Sequence, residues 1–456
     1  MTRVTTFRLV CSAVGVLLTA HAGGATAEQR RPNVVVLVAD DLGYGDVGCY
    51  GGEIPTPRID ALARGGIRCT AGYVTCPACA PSRFSLMAGC YPQRFGLTWN
   101  DDRGRQAPLP AAQRLLPEVM RDAGYVTGLV GKWNIVRPAA EVFDEVHDEL
   151  EWESDYFPQP DGRYVGSGTD PKAYGSSKES RWGTAAETTA YLPDVMGRHA
   201  ADFVTRHADK PFCLVVGFNA PHSPWQGRAA DRDRFAGLPH EVSRLYASMV
   251  AGLDDGVGRV LDALRRAGVE DDTLVVFVSD NGPAKGSMAI KGWQEGWPER
   301  LVVGSAGPFR GAKTDLLEGG IREPVIVRGP RRLPAGGTYD APVSTMDLLP
   351  TVTAAAGLPV PPGTQVDGID LLPFLTAADR GRPHDILFWK IKSATAVRRG
   401  RWKLVMQSPD WQPLLFDLDI DPAEARDRAA DQPALVAELQ AAWRAWDATL
   451  PPPARR

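Results

Sequence analysis

Two seven-residue runs constrain this chain more than any other feature. Asn33 to Ala39 reads Asn-Val-Val-Val-Leu-Val-Ala, and Thr273 to Ser279 reads Thr-Leu-Val-Val-Phe-Val-Ser. Neither alternates apolar with polar residues, so neither suits a strand with one wet face. Continuous β-branched runs of this length suit strands buried on both faces, as in a mostly parallel sheet covered by helices. Each run ends in oxygen donors, Asp40-Asp41 after the first and Asp280-Asn281 after the second. In open α/β sheets ligands bind beyond the carboxyl ends of the strands. One acidic turn is as consistent with a solvated turn or a helix cap as with metal ligation. Two buried strands far apart in sequence, both delivering oxygen donors at one edge, are hard to read as unrelated turns.

The rest of the chain supports an α/β reading. Thr56-Pro57 opens a helix through Ala63, closed by Gly65-Gly66. Leu115 to Ala123 reads as a helix, and Tyr125 to Val130 as a strand running into Gly131-Lys132-Trp133-Asn134. Thr189 to Arg206 is an amphipathic helix. Pro211 to Phe218 is a buried strand that leads into Asn219-Ala220-Pro221-His222-Ser223-Pro224, where two prolines restrain the segment holding His222. Leu245 to Arg266 is a long helix, Val325 to Arg328 a last apolar strand, and Leu348 to Ala356 a helix. Beyond Leu375 the texture changes. Ile386 to Lys390, Ala394 to Arg399, Trp402 to Gln407 and Leu414 to Leu418 read as short antiparallel strands, with a covering helix from Pro433 to Trp446. Two excursions, 151–183 and 281–314, carry aromatics that include Trp152, Tyr156, Phe157, Tyr164, Tyr174, Trp182, Trp293 and Trp297. Long irregular segments of this kind shape binding sites more often than they link domains.

A formal net charge of -4 gives no basic bias toward nucleic acid. Arg3 and Arg8, an apolar run from Leu9 to Ala20, and Ala25-Thr26-Ala27 read as a secretory leader cleaved after Ala27, too short to span a membrane permanently. The expected division is a leader over 1–27, a catalytic domain over 28–375 and a C-terminal subdomain over 376–456. Cleavage removes Cys11 and leaves Cys49, Cys69, Cys76, Cys79, Cys90 and Cys213. Export permits disulfides, and spacing alone assigns none.

Cys79-Ala80-Pro81-Ser82-Arg83 sets a thiol just before an expected helix through Ala88 that ends at Gly89. The positive end of a helix favours an anion and lowers a thiol pKa, which suits a nucleophile or an anion-binding residue. A buried or disulfide-bonded cysteine is the plainer alternative.

The Cys-x-Pro-Ser-Arg pattern resembles the signature of the type I sulfatases, members of the alkaline phosphatase superfamily. The resemblance continues in family order through Asp40-Asp41, Gly131-Lys132-Trp133, Pro221-His222-Ser223-Pro224, Ser279-Asp280-Asn281-Gly282, Lys313 with Glu318-Gly319-Gly320, and Gly400-Arg401-Trp402-Lys403-Leu404. It implies an alkaline-phosphatase-like α/β fold, with a mostly parallel central sheet flanked by helices and a small C-terminal antiparallel sheet plus helix. It also implies a cysteine converted by a formylglycine-generating enzyme to an aldehyde. In hydrated form that aldehyde offers one hydroxyl to attack sulfur and another to expel sulfate. The resemblance assigns a calcium ion, or magnesium as the alternative, to Asp40, Asp41, Asp280, Asn281 and the converted Cys79. An all-oxygen set suits such a hard cation. Arg83 is assigned to hold the diol, Lys132 and Lys313 to neutralise the sulfuryl oxygens, and His222 or Lys313 to protonate the leaving alcohol.

Two positions depart from that family. Asn134 stands where the family has a histidine that aids release, and an amide cannot act as a base; His147 is a candidate substitute. Ala88 stands where a hydroxyl residue is common. The expected activity is hydrolysis of a sulfate ester, on a carbohydrate if the tryptophan-rich excursions stack on sugar rings, with aryl sulfates open. The alternatives are a weakened sulfate-binding protein and a phosphoester or phosphonate hydrolase on the same scaffold.

Overall fold

The computed structural model describes residue 1 and residues 31–100, 102, 109–150, 154–158, 164, 185–186, 190–287, 300–330, 333–377, 381–408 and 410–451. The expected leader, Cys11, and Trp152, Tyr174, Trp182, Trp293 and Trp297 lie outside these residues. Residues 31–456 form one compact unit.

The two apolar runs are strands over the expected bounds, β1 (Asn33–Ala39) and, later in the chain, β6 (Thr273–Ser279), and they pair in parallel with every residue buried. Between them come β2 (Ile67–Tyr73), β3 (Val126–Lys132), β4 (Glu145–Leu150) and β5 (Phe212–Gly217); β7 (Arg322–Arg328), β8 (Gly337–Tyr339) and β9 (Val343–Ser344) follow. The order across the sheet is β8-β2-β7-β6-β1-β5-β3-β4, with β9 also beside β2. Every pairing is parallel except those of β7, which runs antiparallel to both β2 and β6. The mostly parallel α/β sheet expected from the sequence is therefore present. β2, β4, β8 and β9 add strands that the apolar pattern did not mark.

Alternate residues of β1 serve two cores. Val35, Leu37 and Ala39 pack with α1 (Pro57–Arg64), α4 (Leu192–His207) and α5 (Glu241–Arg266). Val34, Val36 and Val38 pack with α2 (Cys79–Ala88), α3 (Leu116–Asp122) and α6 (Leu348–Ala355). A strand flanked by helices on both sides has no wet face, and so the run is apolar throughout.

Thr56 holds the N-cap position of α1, as its sequence suggests, but its hydroxyl donates to Asp60 Oδ1. The free N–H groups of Arg58 and Ile59 donate to the Asp254 carboxylate of α5. The cap comes from a helix far away in sequence, where no local pattern reports it. The C-terminal region forms the expected four-stranded antiparallel sheet, Ile386–Lys390, Ala394–Arg399, Trp402–Gln407 and Pro413–Asp417, covered by α7 (Pro433–Asp447). All six cysteines among the described residues are free thiols.

Candidate active site

The strand ends β3, β5, β1 and β6 lie side by side, and the expected site residues converge at their carboxyl edge. Asp41 takes φ 63, a left-handed conformation that aspartate tolerates better than most side chains. This turns the chain sharply after β1. The turn is pinned by the Asp41 N–H, which donates to Asp280 Oδ1 at 3.2 Å, and by the Leu42 N–H, which donates to Ser279 Oγ at 3.1 Å. Tyr246 on α5 supports it from behind, its hydroxyl 2.6 Å from Asp46 Oδ2 and 3.2 Å from the Asp41 carbonyl oxygen.

Cations meet these carboxylates. Lys132 Nζ lies 2.5 Å from Asp40 Oδ2. Arg83 Nε donates to Asp280 Oδ2 at 2.7 Å, and its Nη1 donates to the Lys132 carbonyl at 2.9 Å. Lys313 Nζ lies 2.7 Å from Asp41 Oδ1 and 3.3 Å from Cys79 Sγ. Cys79 Sγ is 3.5 Å from Asp40 Oδ1. His222 Nε2 stands 3.6 Å from Asp41 Oδ2, while Nδ1 lies 2.6 Å from the Ser223 carbonyl oxygen. That contact makes Nδ1 a donor and directs Nε2 at the cluster. Cys79, Arg83, Lys132, His222, Lys313, Asp40, Asp41, Asp280 and Asn281 thus share one neighbourhood.

Electrostatics follow from burial and pairing. Burial would raise the Asp40 pKa, but Lys132, His222, Arg83 and Lys313 together hold it far below the usual carboxylate range. Asp280 goes the other way: burial, then the Asp40 charge, push it up. Burial opposes the charge on Lys313, and Asp41 and its neighbours more than restore it, so its pKa lies well above that of a free lysine.

Cys79 corrects a sequence expectation. The helix begins at Cys79 itself with Ala78 as N-cap, so the thiol lies in the first turn rather than before it, and Gly89 ends the helix at φ 72 as expected. Burial outweighs both lysines and pushes the thiol up to about 12, not down. The unmodified thiol is thus a poor nucleophile near neutral pH. His147 does not reach this cluster: it lies on the edge strand β4, with Nε2 3.4 Å from Glu145 and its ring 5.7 Å from that of His199. Asn134 is buried with φ 56, a conformation that favours asparagine among non-glycine residues.

The donor set fits a divalent cation. Ligand atoms of Asp40, Asp41, Cys79 and His222 all lie within 4.8 Å of one another. Asn281 donates through Nδ2 to Asp41 Oδ1 at 2.7 Å, and its Oδ1 is buried without a hydrogen-bond partner among the described residues. A buried acceptor left unmatched is costly, and an amide oxygen beside carboxylates suits a hard cation such as calcium. Asp280 instead spends its oxygens on Arg83 and the Asp41 N–H.

The family model described as Sulfatase matches residues 32–358. The chain belongs to the sulfatase family. This member of the type I group is 32% identical to the N-acetylgalactosamine-6-sulfatase of Canis lupus familiaris over 409 residues, covering 85% of this chain and 74% of the relative. It is 31% identical to Homo sapiens arylsulfatase A over 464 residues, covering 90% and 85%. Among solved structures it is similar to Ps i-CgsB, also solved in complex with k-i-k-neocarrahexaose, with a TM-score of 0.78 and 29% identity over 93% of this chain and 94% of that one. A phosphonate monoester hydrolase of Agrobacterium radiobacter shares the fold, with a TM-score of 0.66 and 22% identity over 91% of this chain and 96% of that one. As a sulfatase, the chain is a sulfuric ester hydrolase.

Proposed function

We propose that this sulfatase is exported and hydrolyses a sulfate ester of a carbohydrate, using Cys79 converted to formylglycine and a bound calcium ion. The observation that carries the reading is the meeting of Cys79 with Asp40 and Lys313 beside an Asn281 oxygen that no group among the described residues satisfies. The carbohydrate preference is supported by the similarity to an N-acetylgalactosamine-6-sulfatase and to a protein solved with a neocarrahexaose. The converted side chain would supply a hydroxyl nucleophile, and the ion, held by Asp40, Asp41, Asn281 and position 79 with Asp280 adjoining, would polarise the ester. Magnesium is the alternative occupant.

The chain's own residues divide the remaining work. Lys132 and Lys313 flank position 79 and neutralise sulfuryl oxygens. Arg83, fixed by Asp280 and the Lys132 carbonyl, orients the group at position 79. His222 Nε2 faces the cluster and is assigned the proton for the leaving alcohol, while Lys313, paired with Asp41 and beside Cys79, serves as a charge clamp. Residues 28–375 carry this site and 376–456 form a C-terminal subdomain. A formylglycine-generating enzyme is the required partner before export is complete.

The test is turnover of a sulfate and a phosphate ester of one alcohol, together with the mass of the Cys79 peptide from the native host. Faster sulfate release and an aldehyde mass at position 79 are expected. Faster phosphate release, or an intact thiol with no turnover, contradicts the proposal.

A further inference from the structure

Asn219 is only 2% exposed, and neither its Nδ2 nor its Oδ1 has a hydrogen-bond partner among the described residues. A side chain with two donors and an acceptor all unspent is an expensive thing to bury. Its place in the sheet shows what it faces.

Along β5, Phe212, Leu214 and Val216 pack into the core with α4 and α5, while Cys213 and Val215 pack into the core with α2. Phe218 continues the first set, and its N–H still donates to the Val38 carbonyl at 2.9 Å, as in the strand. The alternation therefore puts Asn219 on the face that carries α2, with Cys79 and Arg83. Gly217 lies two residues earlier on that face. A Cβ there would stand 2.1 Å from the Lys132 carbonyl oxygen and 3.1 Å from Arg83 Nη1, so this side of β5 opens directly onto the cluster.

Asp40 follows Val34, Val36 and Val38 by the same parity, and Asp280 follows Leu274, Val276 and Val278. The register pairs Val38 with Gly217 and Ala39 with Ser279. Asp280, Asp40 and Asn219 therefore follow one another just past the ends of three adjacent strands. The Asp40 N–H donates to the Ala220 carbonyl at 3.2 Å and ties the Asn219 turn to the Asp40 turn. In this row Asp280 is taken by Arg83 and Asp40 by Lys132, whereas no carboxylate among the described residues takes up the N–H groups of Asn219.

We propose that Asn219 contacts the substrate: its Nδ2 donates to a non-bridging oxygen of the sulfuryl group that Lys132 and Lys313 neutralise. This contact rests on the sulfuric-ester reading of the cluster. It adds to that reading a neutral donor, which helps hold a tetrahedral oxyanion without adding to the charge that the lysines already supply.

The experiment compares wild type with Asn219→Leu and Asn219→Ala on a sulfate ester that wild type turns over, using inorganic sulfate as competing ligand and thermal melting as a second readout. The expected result is a fall in kcat/KM of about 10²-fold in both variants, with weaker inhibition by sulfate. Asn219→Leu should melt at or above the wild-type temperature, because unmatched polar atoms have been replaced by apolar ones. Should leucine overpack the site, alanine keeps the activity and inhibition tests intact. Variants with kcat/KM and sulfate inhibition within about twofold of wild type, a change too small for a lost oxyanion donor, would overturn the contact, as would melting well below wild type with full activity per folded molecule. A wild type that cleaves no sulfate ester and is not inhibited by sulfate would overturn the underlying reading itself, and the wild-type arm reports that separately.

Discussion

At the end of β1 three carboxylates meet three cations, while beneath the C-terminal sheet Glu318 and Glu424 meet Lys403. Both groups are buried, and both draw on segments that the sequence marks as family-like. Lys403 Nζ lies 2.8 Å from Glu318 Oε1 and 2.9 Å from Glu424 Oε1. The other Glu318 oxygen takes the Tyr73 hydroxyl at 2.6 Å and Arg322 Nη1 at 3.3 Å, and Glu424 Oε2 takes the Glu318 N–H at 2.6 Å. Arg398 completes the group through Tyr73. Every oxygen of Glu318 is engaged, and the network joins the central sheet to the C-terminal one. At the end of β1, by contrast, Asn281 Oδ1 and the whole Asn219 amide have no hydrogen-bond partner among the described residues, and Arg83 Nη2 has only Asp40 Oδ1 at 3.8 Å. The Glu318–Glu424 pair has its charge matched by Lys403 and Arg322 and acts as a joint; the cluster at β1 leaves amide atoms that a ligand could match.

The comparison breaks most visibly at Lys403. Lys403→Met leaves two buried carboxylates without their cation, and urea unfolding should show a loss of about 3–5 kcal/mol with turnover per folded molecule unchanged. At Lys313 the balance should reverse. Lys313→Met removes a charge clamp beside Cys79, so kcat per folded molecule should fall about 10²–10³-fold, a loss that the Lys403 variant does not show.

Glu323 sharpens the contrast, because it is fully buried near the open cluster and both its oxygens lack hydrogen-bond partners among the described residues. Burial, then the Asp280 charge, push its pKa well above the usual range. The folded protein therefore holds a proton there that the unfolded chain releases above about pH 4. Stability falls as pH rises beyond that point. Glu323→Gln should remove this part of the slope, so that the variant gains on wild type as pH rises from 4 to 8, as read from urea unfolding at both. The smallest effect is expected at Asn134. Asn134→His should raise kcat with KM unchanged if release of sulfate limits turnover, and steady-state kinetics would show it.

How much the sequence disclosed depended on whether the signal was local. β1 and β6 were legible to the residue because burial on both faces leaves no polar position in the run. β2 reads Ile-Arg-Cys-Thr-Ala-Gly-Tyr and β4 is mostly polar, so neither stood out, although both lie in the same sheet. The reversed direction of β7 leaves no trace in its composition. The oxygen donors and cations were legible as ordered motifs. Their balance was not: a helix-terminus argument lowers the Cys79 pKa, whereas burial, a property of the whole fold, raises it. Lys403 and Glu318 read as family motifs, and only the fold shows that they form a joint rather than part of the site. Asn219 was visible as a letter between strand and proline, but its unmatched amide depends on neighbours from three strands.

The open cluster at the end of β1 is the part of the molecule on which the catalytic reading stands, and what that reading requires of it is an affinity for a divalent cation. The most direct measurement is the melting temperature of the metal-stripped protein titrated with calcium chloride, beside Asn281→Leu. Binding to the folded state alone stabilises it by about 2.7 kcal/mol at a hundredfold excess over Kd. Wild type should therefore melt progressively higher as calcium rises, and the variant should not. A wild-type melting temperature that ignores calcium and magnesium alike would contradict the assignment.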